Sequence, residues 1–175
     1  MATNVTTQDL TLILESYKAW KWLNVSLSHF ASRTVNFPEA ISESLCCYTL
    51  RYTWHNKAKT KLPGDGTGLN GELVEIKATS NFNHDLTSFS PDIRFDILIF
   101  ARLDLVNNHL YIYDMNMNFS QFQLCPVNLN ETVLDHQNQG RRPRLSLINQ
   151  INQRNLQPVT VLDLNQLALQ LGIQL

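Results

Sequence analysis

The strongest constraint on the fold is a short apolar segment at residues 95–101, FDILIFA. Its length and its content of isoleucine and phenylalanine are typical of a strand rather than a helix. A strand that is apolar along nearly its whole length must be covered on both faces. The segment therefore predicts a central strand of a sheet, with other elements packed on both sides.

Periodicity elsewhere predicts helices and further strands around this segment. Asn36 can cap the second helix, and the pair Asn107-Asn108 is typical of a hairpin turn. In chain order, the predicted elements are helices over residues 8–24 and 38–52, strands over 72–79, 95–101 and 110–113, a helix over 145–154, a strand over 159–162 and a helix after 165. Such a mixture predicts one α/β or α+β domain spanning residues 1–175.

Composition narrows the class of protein. At 175 residues, 43% hydrophobic and 17% charged, the chain has the size of one compact domain. No apolar run approaches the ~18 residues of a membrane span, and the first residues lack the layout of a signal peptide. The cysteines, Cys46, Cys47 and Cys125, offer neither a zinc-binding spacing nor a disulfide framework. We expect a soluble, cytoplasmic protein with no membrane partner.

The clearest chemical signal is an aspartate in a glycine-rich turn followed by two charges on the next strand. Asp65 lies within PGDGTG, and the spacing of Glu75 and Lys77 in ELVEIKAT puts both side chains on one face of a strand. The two carboxylates and the carbonyl of Ile76 are hard oxygen ligands that suit Mg²⁺. Lys77 supplies a positive charge that can orient water and stabilise charge on a phosphodiester. These are the parts of a metal-dependent phosphodiesterase.

The same residues have a plainer interpretation. An acid followed by E-x-K arises by chance in many chains, and Glu75 and Lys77 would then form a surface ion pair beside a glycine hairpin. Val74 and Ile76 favour a site, because they give the strand a buried reverse face. The glycines do not form a nucleotide-binding loop, since neither a Gly-Lys-Ser/Thr sequence nor a G-x-G-x-x-G turn is present in the right context.

Several segments, spread over most of the chain, carry a resemblance to a known family. They are Pro63-Gly64-Asp65, Glu75-Ile76-Lys77, the helix start at residues 36–43, the loop at 85–91, the strand around Phe95-Asp96 and the segment RRPRLS at 141–146. Together they resemble the PD-(D/E)XK nucleases, and within them the small Type II restriction endonucleases. In the family motif the acid follows the proline directly, whereas Gly64 stands between them here. Asp85 is no substitute for Asp65, because it lies beyond the lysine.

The resemblance implies a fold, an activity and a role for each site residue. The fold would be restriction-endonuclease-like, with a central mixed β-sheet flanked by helices. Asp65 and Glu75 would bind Mg²⁺, Lys77 would help to activate water, and Glu43, or alternatively Glu39, would be the helix glutamate near the metal. The activity would be Mg²⁺-dependent, sequence-specific hydrolysis of double-stranded DNA at a short palindrome, leaving 5′-phosphate ends. The more loosely implied target is GC-N-GC, and a cognate DNA methyltransferase would accompany the enzyme.

The formal net charge of −1 conceals two basic stretches. Residues 51–61 and residues 141–154 each carry four lysines or arginines and no acid. Such stretches can follow phosphates, and arginine reads guanine in the major groove. The predicted DNA-binding residues are Lys57, Lys59, Lys61, Ser80, Asn81, Asn83, His84, Thr87, Ser88, Arg141, Arg142 and Arg144. A solvated face and an ordinary polar loop are the plainer interpretations.

The number of candidate sites bears on assembly. A palindromic target has two strands to cut and this chain has one candidate site, so the predicted working unit is a homodimer.

Two other functions stay open at this point. One is a structure-selective repair or recombination nuclease of the same fold. The other is a non-catalytic module, binding nucleic acid or protein, in which Glu75 and Lys77 are only a surface pair.

Overall fold

The architecture is known from a computed structural model that describes residues 5–31, 35–56, 58 and 61–175. The helices are α1 (Thr7–Ser28), α2 (Glu39–Leu50), α3 (Phe119–Gln123), α4 (Val133–Asn138), α5 (Leu147–Arg154) and α6 (Leu164–Gln170). The strands are β1 (Thr53–Trp54), β2 (Gly66–Thr67), β3 (Leu73–Thr79), β4 (Thr87–Ser88), β5 (Ile97–Asp104), β6 (His109–Asp114), β7 (Arg144–Leu145) and β8 (Thr160–Asp163). None of these helices is long and apolar enough to cross a membrane.

The main sheet is mixed, which confirms the predicted fold class. Its strand order is β1-β2-β3-β5-β6-β8, with β3 and β5 parallel and the other neighbours antiparallel. Parallel strands cannot be joined by a tight turn, so the chain between β3 and β5 crosses over as a long loop. That loop carries β4, which pairs with β7 in a separate two-stranded sheet.

Two hydrophobic cores cover the two faces of the main sheet. The first core combines α1, α2 and α6 with one face, and it includes Ile99 and Ala101 of β5. The second core combines α3, α4 and α5 with the other face, and it includes Leu98 and Phe100. Alternate residues of one strand thus enter opposite cores, as its continuous apolar sequence requires. The prediction of a central strand covered on both faces is confirmed.

The boundaries differ from the sequence expectation in instructive places. The central strand runs from Ile97 to Asp104, later than expected. Asn36 is not the cap of α2, because Pro38 occupies that position and no side chain caps the helix. Asn108 adopts a φ of 56° in the turn before β6, which confirms the predicted hairpin. The short helices α3 and α4 were not predicted, since five or six residues leave too little periodicity to detect.

Candidate active site

Asp65 is held against the edge of β3 by two hydrogen bonds. Its backbone N–H donates to the carbonyl of Val74, and its Oδ2 accepts from the backbone N–H of Ile76, each at 2.9 Å. Gly64 makes this approach possible. Its φ is +64°, and a Cβ there would lie 2.9 Å from the Val74 carbonyl oxygen and 2.6 Å from Cδ1 of Leu73. The glycine that departs from the family motif is therefore what allows the chain to turn tightly beside the strand.

The carbonyl of Ile76 points to the same side as Asp65. The N–H and C=O groups of one strand residue project in the same direction, and the N–H of Ile76 donates to the Asp65 carboxylate. The ladder between β2 and β3 ends at the pair Gly66–Val74, so it does not extend to Ile76. A carbonyl oxygen and a carboxylate thus share one edge of the strand.

Glu75 and Lys77 form an ion pair on one face of β3. Lys77 Nζ lies 2.6 Å from Glu75 Oε1, and the side chains are only 22% and 9% exposed. Lys77 Nζ also lies 5.6 Å from the centre of the buried Phe89 ring. Burial alone would lower the pKa of Lys77. The charges of Glu75, Asp65 and Glu39 and the hydrogen bond to Glu75 outweigh it, so the pKa lies above its ordinary value. The plainer interpretation as an exposed surface pair is wrong, because this pair is largely withdrawn from water.

The two glutamates of α2 occupy different surroundings. Glu43 is buried, and its Oε2 accepts a hydrogen bond from Nε1 of Trp54 at 3.3 Å. Its charge also helps to raise the pKa of the buried Cys47 thiol, as does that of Asp65, although burial is the larger cause. Glu39 is exposed and lines the same cleft as Lys77. Its negative charge helps to raise the pKa of Lys77. Glu39 thus lines the cleft, whereas Glu43 is bonded to Trp54, whose strand partner is Gly66 next to Asp65.

The donor set is that of a hard cation. Asp65 and Glu75 offer carboxylate oxygens and Ile76 offers a carbonyl oxygen. Mg²⁺ typically takes one or two carboxylates and completes its shell with water and substrate phosphate oxygens, so the chemistry of these residues fits it. Within the part of the chain that the structure describes, no group of three or more His, Cys, Asp or Glu side chains is arranged to hold a metal.

A cleft of about 800 Å³ opens beside Lys77. One wall is the segment before α2 together with Glu39 and Ser42, and the other is the crossover loop after β3. The predicted DNA-binding residues that line it are Ser80, Asn81, His84, Thr87 and Ser88. Asn83 is exposed and is not part of the lining. The structure thus brings most of the predicted loop residues to the same cavity as the lysine.

Comparison with known proteins identifies the family. Residues 5–154 match the family model described as Bsp6I restriction endonuclease. A relative, the Type II restriction enzyme Bsp6I of Bacillus sp. (strain RFL6), is 37% identical over 158 residues, or 86% of each chain. The chain belongs to the Bsp6I restriction endonuclease family. The expectation of a Type II restriction enzyme, a site-specific deoxyribonuclease, is confirmed by this membership. No solved structure matches the chain.

In this Bsp6I-family chain, the second basic stretch lies beside the cleft. β7 pairs Arg144 with Ser88 of β4, and the N–H of Phe89 donates to the carbonyl of Pro143. Arg142 and Arg144 are exposed. We call β4, β7 and residues 141–143 the basic arm. Its Arg144 pairs with Ser88, which lines the cavity that contains Lys77.

Other basic residues are placed differently. Arg141 pairs with Glu131, whose pKa is held at about 2 by hydrogen bonds from Asn128 and then from Arg141. Arg154 belongs to the fold, because its guanidinium donates to the carbonyls of Met115 and Asn116 at 2.6 and 3.0 Å. In the first basic stretch Lys61 is exposed, whereas Lys57 and Lys59 lie outside the described residues.

The sequence did not predict the roles of two residues near the site. Asp85, which the sequence excluded as a metal ligand, joins the crossover loop to α5 by accepting from the Ser146 hydroxyl and from the N–H groups of Leu147 and Ile148. Trp54 donates to Glu43. Asp85 forms a helix cap with residues about sixty positions away, and no short sequence motif signals such a cap.

Proposed function

We propose that this member of the Bsp6I family is a Mg²⁺-dependent endonuclease that hydrolyses both strands of DNA at a short palindrome, GC-N-GC by resemblance, and leaves 5′-phosphate ends. The observation that carries the proposal is the arrangement at β3. The Asp65 carboxylate is fixed on the Ile76 N–H, and the adjacent strand residues form a largely buried Glu75–Lys77 ion pair in which Lys77 lines a cleft.

Asp65, Glu75 and the Ile76 carbonyl are the proposed holders of the metal. When bound, Mg²⁺ would lower the pKa of a water molecule and polarise the scissile phosphate. The protein supplies the geometry: the hydrogen bond from Ile76 fixes one oxygen of Asp65, and the ion pair with Lys77 fixes one oxygen of Glu75. Fixing both carboxylates in advance reduces the reorganisation that binding of the cation would require.

Lys77 is proposed to orient the attacking water and to stabilise the charge that develops on the phosphate. In the metal-free protein its raised pKa keeps the side chain as an ammonium group at neutral pH, and this positive charge can stabilise the phosphate as charge develops on it. The water oxygen bonds to phosphorus and releases a proton to solvent, while the bond from phosphorus to the 3′ oxygen breaks. The 3′ oxygen leaves with a proton from solvent, which gives a 5′-phosphate and a 3′-hydroxyl.

The basic arm and the crossover loop are proposed to hold the DNA. Arg144 is exposed and pairs with Ser88 of the cleft lining, and Arg142 is exposed two residues earlier; a guanidinium there can bind O6 and N7 of a guanine. The predicted lining residues, among them Asn81 and His84, offer short donors and acceptors closer to Lys77. Arg141 is the weakest candidate of the arm, since Glu131 already binds it.

Two copies of the chain are proposed to act together. A single chain offers one proposed site, and cutting both strands of a palindrome calls for two sites related by a two-fold axis. The enzyme would work in the cytoplasm beside a methyltransferase that protects the same sequence.

The direct test is digestion of plasmid DNA by the purified protein in Mg²⁺. The expected result is a set of discrete fragments that disappears when EDTA is added. Fragments should be ligated without prior phosphorylation, because their 5′ ends carry phosphate. A duplex in which one guanine of GC-N-GC is replaced should resist cutting. The same fragments in the presence of EDTA would contradict the metal requirement.

Glu75→Gln tests the proposed metal site, and the same substitution at Glu15 on the exposed surface of α1 is its control. Glu75→Gln should lower the cleavage rate about 100- to 1,000-fold, because it removes one negative ligand from the proposed site. Cutting at junctions or flaps regardless of base sequence would favour a structure-selective nuclease. DNA binding without any cutting would favour a non-catalytic module.

A further inference from the structure

A buried histidine ties together the loop that presents Asp65. His55 directly follows β1 and is only 2% exposed. Its backbone N–H donates to the carbonyl of Asp65 at 2.9 Å. Its ring Nδ1 lies 2.7 Å from the carbonyl oxygen of Pro63, and its ring Nε2 lies 2.7 Å from Oγ1 of Thr67. One residue therefore contacts Asp65 and the residues two positions before and after it.

The partners fix the chemistry of the ring. A carbonyl oxygen can only accept, so Nδ1 of His55 carries the proton that is donated to Pro63. In the neutral ring this leaves Nε2 as an acceptor, and the Thr67 hydroxyl is the donor. Both ring nitrogens are occupied and the side chain is withdrawn from water, so His55 is not placed to exchange protons with a substrate.

The loop needs such a restraint because of its own sequence. Gly64 and Gly66 flank Asp65, and glycine loses more conformational freedom on ordering than any other residue. A carboxylate between two glycines has little local reason to keep one position. Two hydrogen bonds to β3 hold the aspartate itself, and the contacts of His55 add a restraint on the backbone on both sides of it.

We propose that His55, together with the Thr67 hydroxyl, is a positioning residue that holds Asp65 ready to bind the divalent cation. The inference rests on the proposed function, in which Asp65 is a metal ligand. Residues that orient ligands typically change metal affinity or activity about 10- to 100-fold when they are removed. His55 acts through the backbone on either side of the ligand, so loss of one of its two ring contacts is expected to have an effect at the lower end of that range, about 10-fold.

Direct titration of the DNA-free protein with Mn²⁺ tests the proposal without reference to cleavage. Thr67→Val removes the hydroxyl and keeps the shape of the side chain, and Thr67→Ser restores the hydroxyl. Thr67→Val is expected to bind Mn²⁺ about 10-fold more weakly, while Thr67→Ser binds it as the wild type does. His55→Phe should lose more Mn²⁺ affinity than Thr67→Val, because it removes both ring contacts. His109→Phe, on β6 and two strands beyond β3 in the sheet, is its control.

A cleavage assay over a range of Mg²⁺ concentrations separates positioning from damage to the fold. In Thr67→Val the concentration for half-maximal rate should rise, and the rate at saturating Mg²⁺ should return close to that of the wild type. A rate that stays low at every Mg²⁺ concentration, with unchanged half-maximal concentration, would indicate loss of folded enzyme and would overturn the proposal.

Asp65→Asn distinguishes failure of this inference from failure of the proposed function. If Asp65→Asn loses Mn²⁺ binding while Thr67→Val and His55→Phe titrate like the wild type, the positioning role is wrong and the metal site stands. If Asp65→Asn itself binds Mn²⁺ as the wild type does, Asp65 is not a ligand and both proposals fall.

Discussion

The site at β3 and the basic arm present their charged residues in opposite ways. Asp65 and Glu75 are buried, and Asp65 is bonded directly to the backbone of the main sheet. Arg142 and Arg144 are exposed, and they extend from a two-stranded sheet that lies outside the main one. The first region fixes its groups and withdraws them from water, whereas the second leaves its groups free to meet a partner.

This difference follows from what each region is proposed to do. A group that binds a cation or stabilises a transition state gains from a fixed position and from exclusion of water. A group that meets phosphate or a base edge must be accessible before DNA arrives. The crossover loop between β3 and β5 connects the two regions, since it begins at the end of β3 and carries β4.

The largest expected effect comes from replacing one glycine in each of the two regions by alanine. Gly64 at the site and Gly140 before the arm both have left-handed φ angles, of 64° and 66°. Only Gly64 is also crowded, because nothing lies within 4 Å of a Cβ built at Gly140. Gly64→Ala should lower the free energy of unfolding by about 3–5 kcal/mol and slow cleavage about 100-fold by displacing Asp65. Gly140→Ala should cost only about 1–2 kcal/mol.

Urea unfolding and single-turnover cleavage of both variants provide the measurement. Equal losses of stability in Gly64→Ala and Gly140→Ala would mean that the close approach of the loop to β3 does not matter.

Two arginines of the same basic stretch should separate DNA binding from stability. Arg144→Ala should weaken binding of the cognate duplex by about 1–3 kcal/mol, since it removes a proposed base contact. Arg154→Ala should instead lower stability by about 1–3 kcal/mol, because it leaves the carbonyls of Met115 and Asn116 without their donor. Binding isotherms in Ca²⁺ and thermal unfolding distinguish the two outcomes. A loss of affinity that is greater in Arg154→Ala would place the DNA elsewhere.

The smallest expected effect is on the free energy of unfolding at acid pH. Hydrogen bonds from Asn128 and then Arg141 lower the pKa of Glu131 from 4.5 to about 2. A depressed carboxyl pKa stabilises the folded state above the unfolded pKa, and this contribution is lost as the pH falls from about 4.5 to about 2. In Glu131→Gln the unfolding free energy should therefore decline less over that interval than in the wild type. Parallel curves in urea titrations at several pH values would contradict this role of Glu131.

Much of the fold could be predicted from the sequence, and the reason is periodicity. The helical pattern of α1, the alternating pattern of β3 and the short apolar runs of β5 and β6 survive as elements of the structure. The two-residue strands β1, β2, β4 and β7 have no such pattern. They form because long-range contacts supply their partners, as Arg144 does for Ser88.

The site was predictable to the extent that its chemistry is local. Glu75 and Lys77 share a face because they are two positions apart on one strand, and their ion pair follows from that spacing. The hydrogen bond from Ile76 to Asp65 joins residues eleven positions apart, and it depends on the left-handed Gly64 just before Asp65. The contact of His55 with Thr67 depends on the pairing of β1 with β2. Neither of these two contacts has a sequence signature.

The central claim is that Lys77 acts on the scissile phosphate from a site built at β3. The most direct measurement is the single-turnover rate of cutting a GC-N-GC duplex by Lys77→Met, beside Lys18→Met on the exposed surface of α1. Both variants should be compared at a temperature at which circular dichroism shows them folded. The account predicts that Lys77→Met binds the duplex in Ca²⁺ but cuts it about 100- to 1,000-fold more slowly in Mg²⁺, while Lys18→Met cuts normally. Cutting by folded Lys77→Met at the wild-type rate would contradict it.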